Sequence, residues 1–326
     1  MCSNSDPLPF QVPLRYYRVM GSSNLRIVSL ISSATEIACE LGLRPNLVGV
    51  SHECDFPESI RSLPVVSETK IDNSQPSQSI HQSVVDIVQK GLSIYKVNAE
   101  LLRDLQPDII LTQNQCEVCA VSLKDVEAAV RSITKKDTVI CSLFPFALDD
   151  LCSDFRRVGE VTGKQKEAED LVTRFWVRLN QVNAKAGTHL KYRPKVLALE
   201  WLDPPIIAGS WIPELITLAG ADPLVVDGPK PFKKVSWPEL YAQKPDKILI
   251  FPCGWSEERT FQELSRPDIE EKFNAWPAAQ SAPVIVFDGN QYFNRPGPRI
   301  ADSLEILGSA LWPDKFPKRD GFTFRT

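Results

Sequence analysis

The sequence of 326 residues has little of what marks several large protein classes. Lysine and arginine number 37 against 41 aspartate and glutamate residues, so the formal net charge is −4 and no basic excess is present for binding nucleic acid. No apolar run approaches the ~18 residues that a membrane-spanning helix needs. The 8 cysteines are too sparse for a disulfide-stabilised scaffold, so we expect free thiols, metal ligands or redox groups.

Sequence signatures of catalysis and export are also missing. The chain has no nucleophile elbow, phosphate-binding loop, pair of catalytic carboxylates or Ser-His-Asp order. Its first residues have neither the basic start nor the apolar core of about 7–15 residues that a secretory signal requires. We therefore predict a protein that is not an enzyme and that is cytoplasmic. It would be periplasmic or extracellular if a signal had been removed.

Short apolar strands alternate with helices on both sides of a long amphipathic stretch. In residues 149–187 the apolar side chains recur every three or four positions, which predicts one long connecting helix. We predict an N-terminal extension over 1–24, a first lobe over 25–148 and a second lobe over 188–326. Each lobe should be a Rossmann-like α/β unit, with a parallel sheet in the first lobe, and the ligand cleft should lie between the two lobes.

Two segments repeat the same order of features, one in each predicted lobe. Residues 99–113 and residues 237–251 both combine a Glu-Leu pair, a short helical pattern, a Pro-Asp pair and an apolar strand pattern. A match of this kind favours duplicated α/β lobes on either side of the connecting helix.

The first lobe should open with a strand that leads directly into a helix. Residues 25–30 form a short apolar, β-branched run. Ser33 and Glu36 have the spacing of a capping box, which predicts that the helix begins at Ala34. A helix N-terminus at the carboxyl end of a strand is a favourable position for polar groups of a ligand.

Candidate ligand-binding residues cluster in the loops that follow the predicted strands. The first lobe contributes His52, Cys54, Asp55, Phe56, Gln113 and Asn114, and the second lobe contributes Trp201, Trp211, Trp255, Phe293 and Arg295. Flat aromatic side chains with polar tips at strand ends favour a large, flat, partly apolar ligand. The alternative is that each tryptophan covers the core of its own lobe.

A second pattern combines His52, Cys54, Cys116 and Cys119, the last two forming a Cys-x-x-Cys pair. Two thiolates, a further cysteine and an imidazole on neighbouring loops predict a tetrahedral zinc site or a site for another soft metal. Two other interpretations stay open. Cys116 and Cys119 could form a redox disulfide, or the thiols could only pack.

The sequence resembles the substrate-binding proteins of cobalamin and iron-chelate ABC importers, the helical-backbone metal receptors. The resemblance runs from about Leu25 to Trp312 and is carried by RIVSLISSATEIACELGL, VGVSHECDFPESI, LLRDLQPDIILTQ, DFRRVGEVTGKQKEAEDLV and GPRIADSLEILGSALWP. Within that class it is most similar to the cobalamin binders. The resemblance implies two α/β lobes held at a nearly fixed angle by one helix, with the ligand between them.

For function, the resemblance implies that a monomer binds cobalamin or a related corrinoid and hands it to an ABC permease if the protein is exported. If a corrinoid binds, His52 or Cys54 could approach its cobalt as an axial ligand, which is a third alternative to the soft-metal site. Glu36 and Glu200 could be acidic groups of the kind that dock on permease arginines. Two alternatives keep the fold. One is a zinc or other soft-metal carrier, or a metalloenzyme, that uses the His and Cys cluster. The other is a haem or siderophore receptor, for which Arg295 and Arg299 are available.

Overall fold

The computed structural model describes residues 24–89, 94–113, 138–187, 192–224 and 232–325. Asn114, Cys116 and Cys119 lie outside these ranges, so what was predicted for them stays a prediction. Two sheets with intervening helices form two α/β lobes, which confirms the predicted fold class. Within the described ranges, no helix combines the length and the apolar character needed to cross a membrane.

The first lobe is built on a parallel sheet. The strands of the first lobe are β1 (Ile27–Ser29), β2 (Leu47–Val50), β3 (Ser67–Thr69), β4 (Tyr95–Val97), β5 (Ile109–Gln113) and β6 (Val139–Leu143). Its helices are α1 (Ser32–Glu40), α2 (Ser77–Gln89) and α3 (Ala99–Leu105). The parallel sheet has the order β2-β1-β5-β6, and β3 pairs only with β4, in antiparallel fashion. Every residue of β5 is buried, as expected for a central strand of a parallel sheet.

Two helices, rather than one, connect the lobes. α4 (Leu148–Thr162) ends at Gly163, whose φ of 72° is left-handed, and α5 (Gln165–Ala186) begins two residues later. The prediction of one continuous helix is therefore wrong at Gly163, because the apolar periodicity continues through a residue that readily stops a helix. The two helices pack closely, since a Cβ added to Gly159 would lie 2.6 Å from the Cβ of Ala168.

The second lobe is built on a mixed sheet. Its strands are β7 (Lys195–Trp201), β8 (Ile206–Ala208), β9 (Asp222–Pro223), β10 (Phe232–Lys234), β11 (Lys247–Ile250), β12 (Val284–Phe287) and β13 (Phe322–Arg325). Its helices are α6 (Ile212–Leu218), α7 (Trp237–Tyr241), α8 (Glu257–Leu264), α9 (Pro267–Asn274) and α10 (Ile300–Leu311). The strand order is β10-β8-β7-β11-β12-β13, with β9 also paired to β7, and the three central strands β7, β11 and β12 are parallel.

The predicted internal repeat is confirmed by the two sheets. In the first lobe α3 leads into β5, which lies between β1 and β6. In the second lobe α7 leads into β11, which lies between β7 and β12. Both repeated segments thus supply the central parallel strand of their sheet, a position that demands the apolar pattern they share.

One apolar core runs through both lobes. It begins with Ile27 of β1, continues through Phe155 of α4 and Phe175 of α5, and reaches Leu304 of α10. The rings of Phe155 and Phe175 meet edge to face with centroids 5.5 Å apart. Because the connecting helices share their core with each lobe, separating the lobes would expose a large apolar surface.

Candidate ligand site between the lobes

The loop after β2 in the first lobe faces the loop after β12 in the second. The guanidinium of Arg295 donates to both carboxylate oxygens of Asp55, and the Nη2–Oδ2 distance is 3.1 Å. The guanidinium of Arg299 lies 4.2 Å from the ring centroid of Phe56. Both loops follow strands of parallel sheets at their carboxyl ends, where such sheets bind ligands. The space between these loops is therefore the candidate site.

A network of charged side chains crosses this space. Glu36 Oε1 accepts a hydrogen bond from Arg299 Nη2 at 2.6 Å and lies 3.7 Å from Arg295 Nη1. Glu36, Arg295 and Arg299 are only 2%, 6% and 8% exposed. Burial raises the pKa of Glu36, although both arginines act in the opposite direction. Burial would also raise the pKa of Asp55, but the hydrogen bonds and charge of Arg295 outweigh it and hold that pKa below its ordinary value.

Glu36 has a different partner from the one its spacing predicted. α1 begins at Ser32 after Ile31, and no side chain caps its N-terminus, so the predicted capping box is wrong. The carboxylate of Glu36 instead pairs with arginines of the second lobe. A carboxylate buried in this way is not placed to dock on a permease.

Three buried polar atoms of this network have no hydrogen-bond partner in the part of the chain that the structure describes. They are Ser33 Oγ, Glu36 Oε2 and Arg299 Nε. Buried polar groups are normally paired, because leaving one unpaired costs about 1–3 kcal/mol. The interior of the network is thus polar and its hydrogen bonding is incomplete.

His52 and Cys54 lie on one loop but have separate partners. His52 Nδ1 is 2.9 Å from Ser67 Oγ, and its ring centroid is 5.2 Å from that of Tyr95. Burial lowers the pKa of His52, which favours the neutral imidazole. Cys54 Sγ is 3.1 Å from Thr35 Oγ1, and burial raises the pKa of the thiol. A buried, protonated thiol is a weaker metal ligand than an exposed thiolate.

The predicted soft-metal site stays a prediction. In residues 24–89, 94–113, 138–187, 192–224 and 232–325, no group of three or more His, Cys, Asp or Glu side chains could hold a metal ion. Two of the four predicted ligands, Cys116 and Cys119, lie outside these ranges.

Trp201 and Trp255 pack on each other at the carboxyl edge of the second sheet. Their ring centroids are 4.9 Å apart, and the guanidinium of Arg259 lies 4.1 Å from the Trp255 ring centroid. Trp255 is 2% exposed, whereas Trp201 is only partly buried. Trp201 Nε1 donates to the backbone oxygen of Ser77 in the first lobe at 3.3 Å. The structure therefore brings the two predicted residues together beside the other lobe, and Trp201 keeps the open surface.

Three further predicted residues are buried among their own neighbours. Trp211 Nε1 donates to the backbone oxygen of Phe293 at 2.8 Å. The Phe293 ring stacks on Phe251 at 4.7 Å with an interplanar angle of 15°. Gln113 ends β5 and is also buried. In this arrangement Trp211, Phe293 and Gln113 have little surface left for a ligand.

Comparison with known proteins shows which family and which relatives this chain is similar to. The family model described as periplasmic binding protein matches residues 27–289. A vitamin B12-binding protein of Yersinia pestis is 22% identical over 285 residues, which cover 86% of this chain and 84% of that protein. Vitamin B12-binding proteins of Yersinia pseudotuberculosis give the same values.

Solved structures show the same likeness of fold. The periplasmic heme-binding protein RhuT from Roseiflexus sp. RS-1 has a TM-score of 0.64 at 22% identity, covering 89% of this chain and 99% of that one. The periplasmic vitamin B12 binding protein BtuF of Vibrio cholerae has a TM-score of 0.61 at 21% identity, with coverages of 88% and 96%. These similar structures are named for different ligands, so the shared fold does not select one.

Proposed function

The chain belongs to the periplasmic binding protein family, and on that premise we propose that it binds cobalamin or a related corrinoid between its lobes, without catalysis. The observation that carries the proposal is the approach of two strand-end loops, with Asp55 and Phe56 of one lobe against Arg295 and Arg299 of the other. The relatives named as vitamin B12-binding proteins support the choice of a corrinoid.

Aromatic surface at contacts between the lobes supports a flat ligand. Phe56 is exposed and Trp201 is partly exposed, so both can bury apolar area against a corrin ring. His52 Nδ1 is engaged by Ser67, so we propose Nε2 of the neutral imidazole as the atom that would contact a metal in the ligand. We propose Asn114, the residue that follows Gln113 in the chain, as a partner for the amide groups of the ligand.

Haem is the second candidate. Several similar structures are named as heme-binding proteins, among them RhuT from Roseiflexus sp. RS-1 and HutB of Vibrio cholerae. Arg295 and Arg299 would be the cationic groups nearest to a carboxylate-bearing ring. Both are already paired with carboxylates of the first lobe, which favours the corrinoid, a ligand whose side chains are amides.

The family match also bears on location and partner. The family is described as periplasmic, which agrees with the second of the two predicted locations and gives the cytoplasmic prediction no support. For this chain we propose delivery of the ligand to an ABC permease, as the resemblance implies, with the chain acting as a monomer.

Isothermal titration of the reduced, metal-analysed protein with cobalamin, cobinamide and haem tests the proposal. Micromolar or tighter binding of either corrinoid, with weaker binding of haem, is the expected result. The difference between cobalamin and cobinamide reports whether the lower nucleotide is recognised. Tighter binding of haem would establish the second candidate. No heat with any ligand, together with about one equivalent of bound zinc, iron or copper, would contradict both candidates and support the His and Cys site.

A further inference from the structure

Residues 71–89, here called the arm, come between two paired strands of the first lobe. The arm follows β3, and the chain returns to the lobe through β4. Thr69 of β3 pairs with Tyr95 of β4, so the strands that precede and follow the arm are held together. Because β3 and β4 form a sheet of their own, the arm can move about this base without disturbing the parallel sheet.

The apolar face of the arm packs on the other lobe. Ile80, Val84 and Ile87 recur at helical spacing and form one stripe along α2. Ile71 and Ile80 are buried members of an apolar cluster that also contains Trp255 of the second lobe, and Val84 and Ile87 pack against it. The arm therefore belongs to the first lobe by sequence and to the second lobe by packing.

A buried carboxylate of the second lobe anchors the start of α2. The backbone N–H of Ser77 donates to Glu263 Oε1 at 2.8 Å. Glu263 is fully buried and is also paired with Arg259 at 3.3 Å and Arg266 at 3.0 Å. Arg259 Nη2 donates in turn to the backbone oxygen of Gln75 at 2.8 Å. A carboxylate at a helix N-terminus is a favourable electrostatic arrangement, because the first N–H groups have no partner within the helix.

The start of α2, which Glu263 anchors, also contacts the tryptophan pair, since Trp201 Nε1 donates to the backbone oxygen of Ser77. We infer that the arm is a lid on this side of the ligand site, and that Ser77 must leave Glu263 before a ligand can enter or leave the space that the exposed part of Trp201 faces. This inference rests on the proposed function. The arm is held by a few polar contacts and one apolar stripe, whereas the lobes share a core, so the arm opens more easily than the lobes separate.

Two substitutions of one residue test the lid. Ser77→Pro removes the N–H that Glu263 accepts and leaves Glu263 with both arginines. Proline is tolerated there because Ser77 is the first residue of α2. Ser77→Ala is the matched control, since Ser77 Oγ has no hydrogen-bond partner among the described residues and the N–H is kept. Loss of one hydrogen bond to a charged group corresponds to a change of roughly tenfold in the opening equilibrium.

Stopped-flow binding of cobinamide and hydrogen exchange of the ligand-free protein are the two measurements. We expect Ser77→Pro to raise both the association and dissociation rates about tenfold and to leave Kd nearly unchanged, because the arm is closed before and after binding. Arm amides should exchange faster by the same factor, and Ser77→Ala should match the wild type in both measurements.

Faster exchange in the arm with unchanged ligand rates would overturn the lid and leave the binding function standing. Unchanged exchange in Ser77→Pro would overturn Glu263 as the anchor. A wild-type protein that binds neither corrinoid nor haem would overturn the proposed function, and the lid with it.

Discussion

Loss of the Asp55–Arg295 pair should measurably weaken the junction between the lobes. Arg295 is almost fully buried, whereas the Asp55 side chain is 32% exposed. Asp55→Asn keeps the shape of the acceptor and removes its charge. Arg295 would then keep Asn290 Oδ1 at 3.1 Å and the more distant Glu36 at 3.7 Å.

The size of the effect follows from this unequal burial. Exposed ion pairs contribute about 0.2–1 kcal/mol, and breaking a fully buried pair costs about 3–5 kcal/mol. With one partner buried and the other a third exposed, we expect Asp55→Asn to lower the free energy of unfolding by about 2 kcal/mol at pH 7. Glu68→Gln is the matched control. It breaks a 2.9 Å pair with Lys96 whose side chains are 65% and 67% exposed, so it should cost less than about 0.5 kcal/mol.

Urea unfolding, followed by tryptophan fluorescence and circular dichroism, measures this difference. The pKa of Asp55 in the folded protein lies below its ordinary value of 3.8. Its contribution is therefore complete above that value and is lost as the pH falls through the folded pKa. The difference in the free energy of unfolding between wild type and Asp55→Asn should therefore shrink as the pH falls. A loss at pH 7 no larger than that of Glu68→Gln would refute the reasoning.

Three other changes have defined outcomes. Trp201→Ala should weaken corrinoid binding by roughly 1–3 kcal/mol in a calorimetric titration, while Trp176→Ala on the connecting helix α5 should not. An affinity of Trp201→Ala equal to that of the wild type would contradict the aromatic contact. Cys116→Ser or Cys119→Ser should abolish metal retention, measured by elemental mass spectrometry, with the circular dichroism unchanged, and an unaltered metal content would show that these thiols are not ligands. Burial raises the pKa of Asp154 to about 7 from 3.8, so wild-type stability should fall as the pH rises from about 4 through about 7, by at most about 4 kcal/mol. Asp154→Asn should lack this decline in thermal melts, and parallel curves for the two proteins would argue against the shifted carboxyl.

Much of the fold can be predicted because local pattern and burial coincide in it. The strand predicted within residues 25–30 is β1, and the repeated segments supply the central strands of their sheets. The break at Gly163 escapes prediction for the opposite reason, since the apolar residues of α4 and α5 keep one period on both sides of it. Hydrophobic spacing reports which face is buried, and it does not report where a helix stops.

The charged part of the site could be predicted only in part, because its contacts join distant residues. Asp55 and Arg295 are 240 positions apart, and Glu36 and Arg299 are 263 apart. The local spacing of Glu36 fits a cap that the structure does not use. Trp255 is buried where an exposed ligand contact was predicted, because Trp201 and Arg259 pack on its ring. Nothing in the spacing of the arm's apolar stripe indicates which surface the stripe will meet.

The arm also couples folding to the order of synthesis. Residues 71–89 leave the ribosome before the second-lobe strands that bury Ile71 and Ile80 have been made. Until then the nascent first lobe presents an apolar helix face to solvent, the kind of surface that chaperones recognise and that promotes aggregation. Translation of the second lobe is therefore what completes the burial of the first.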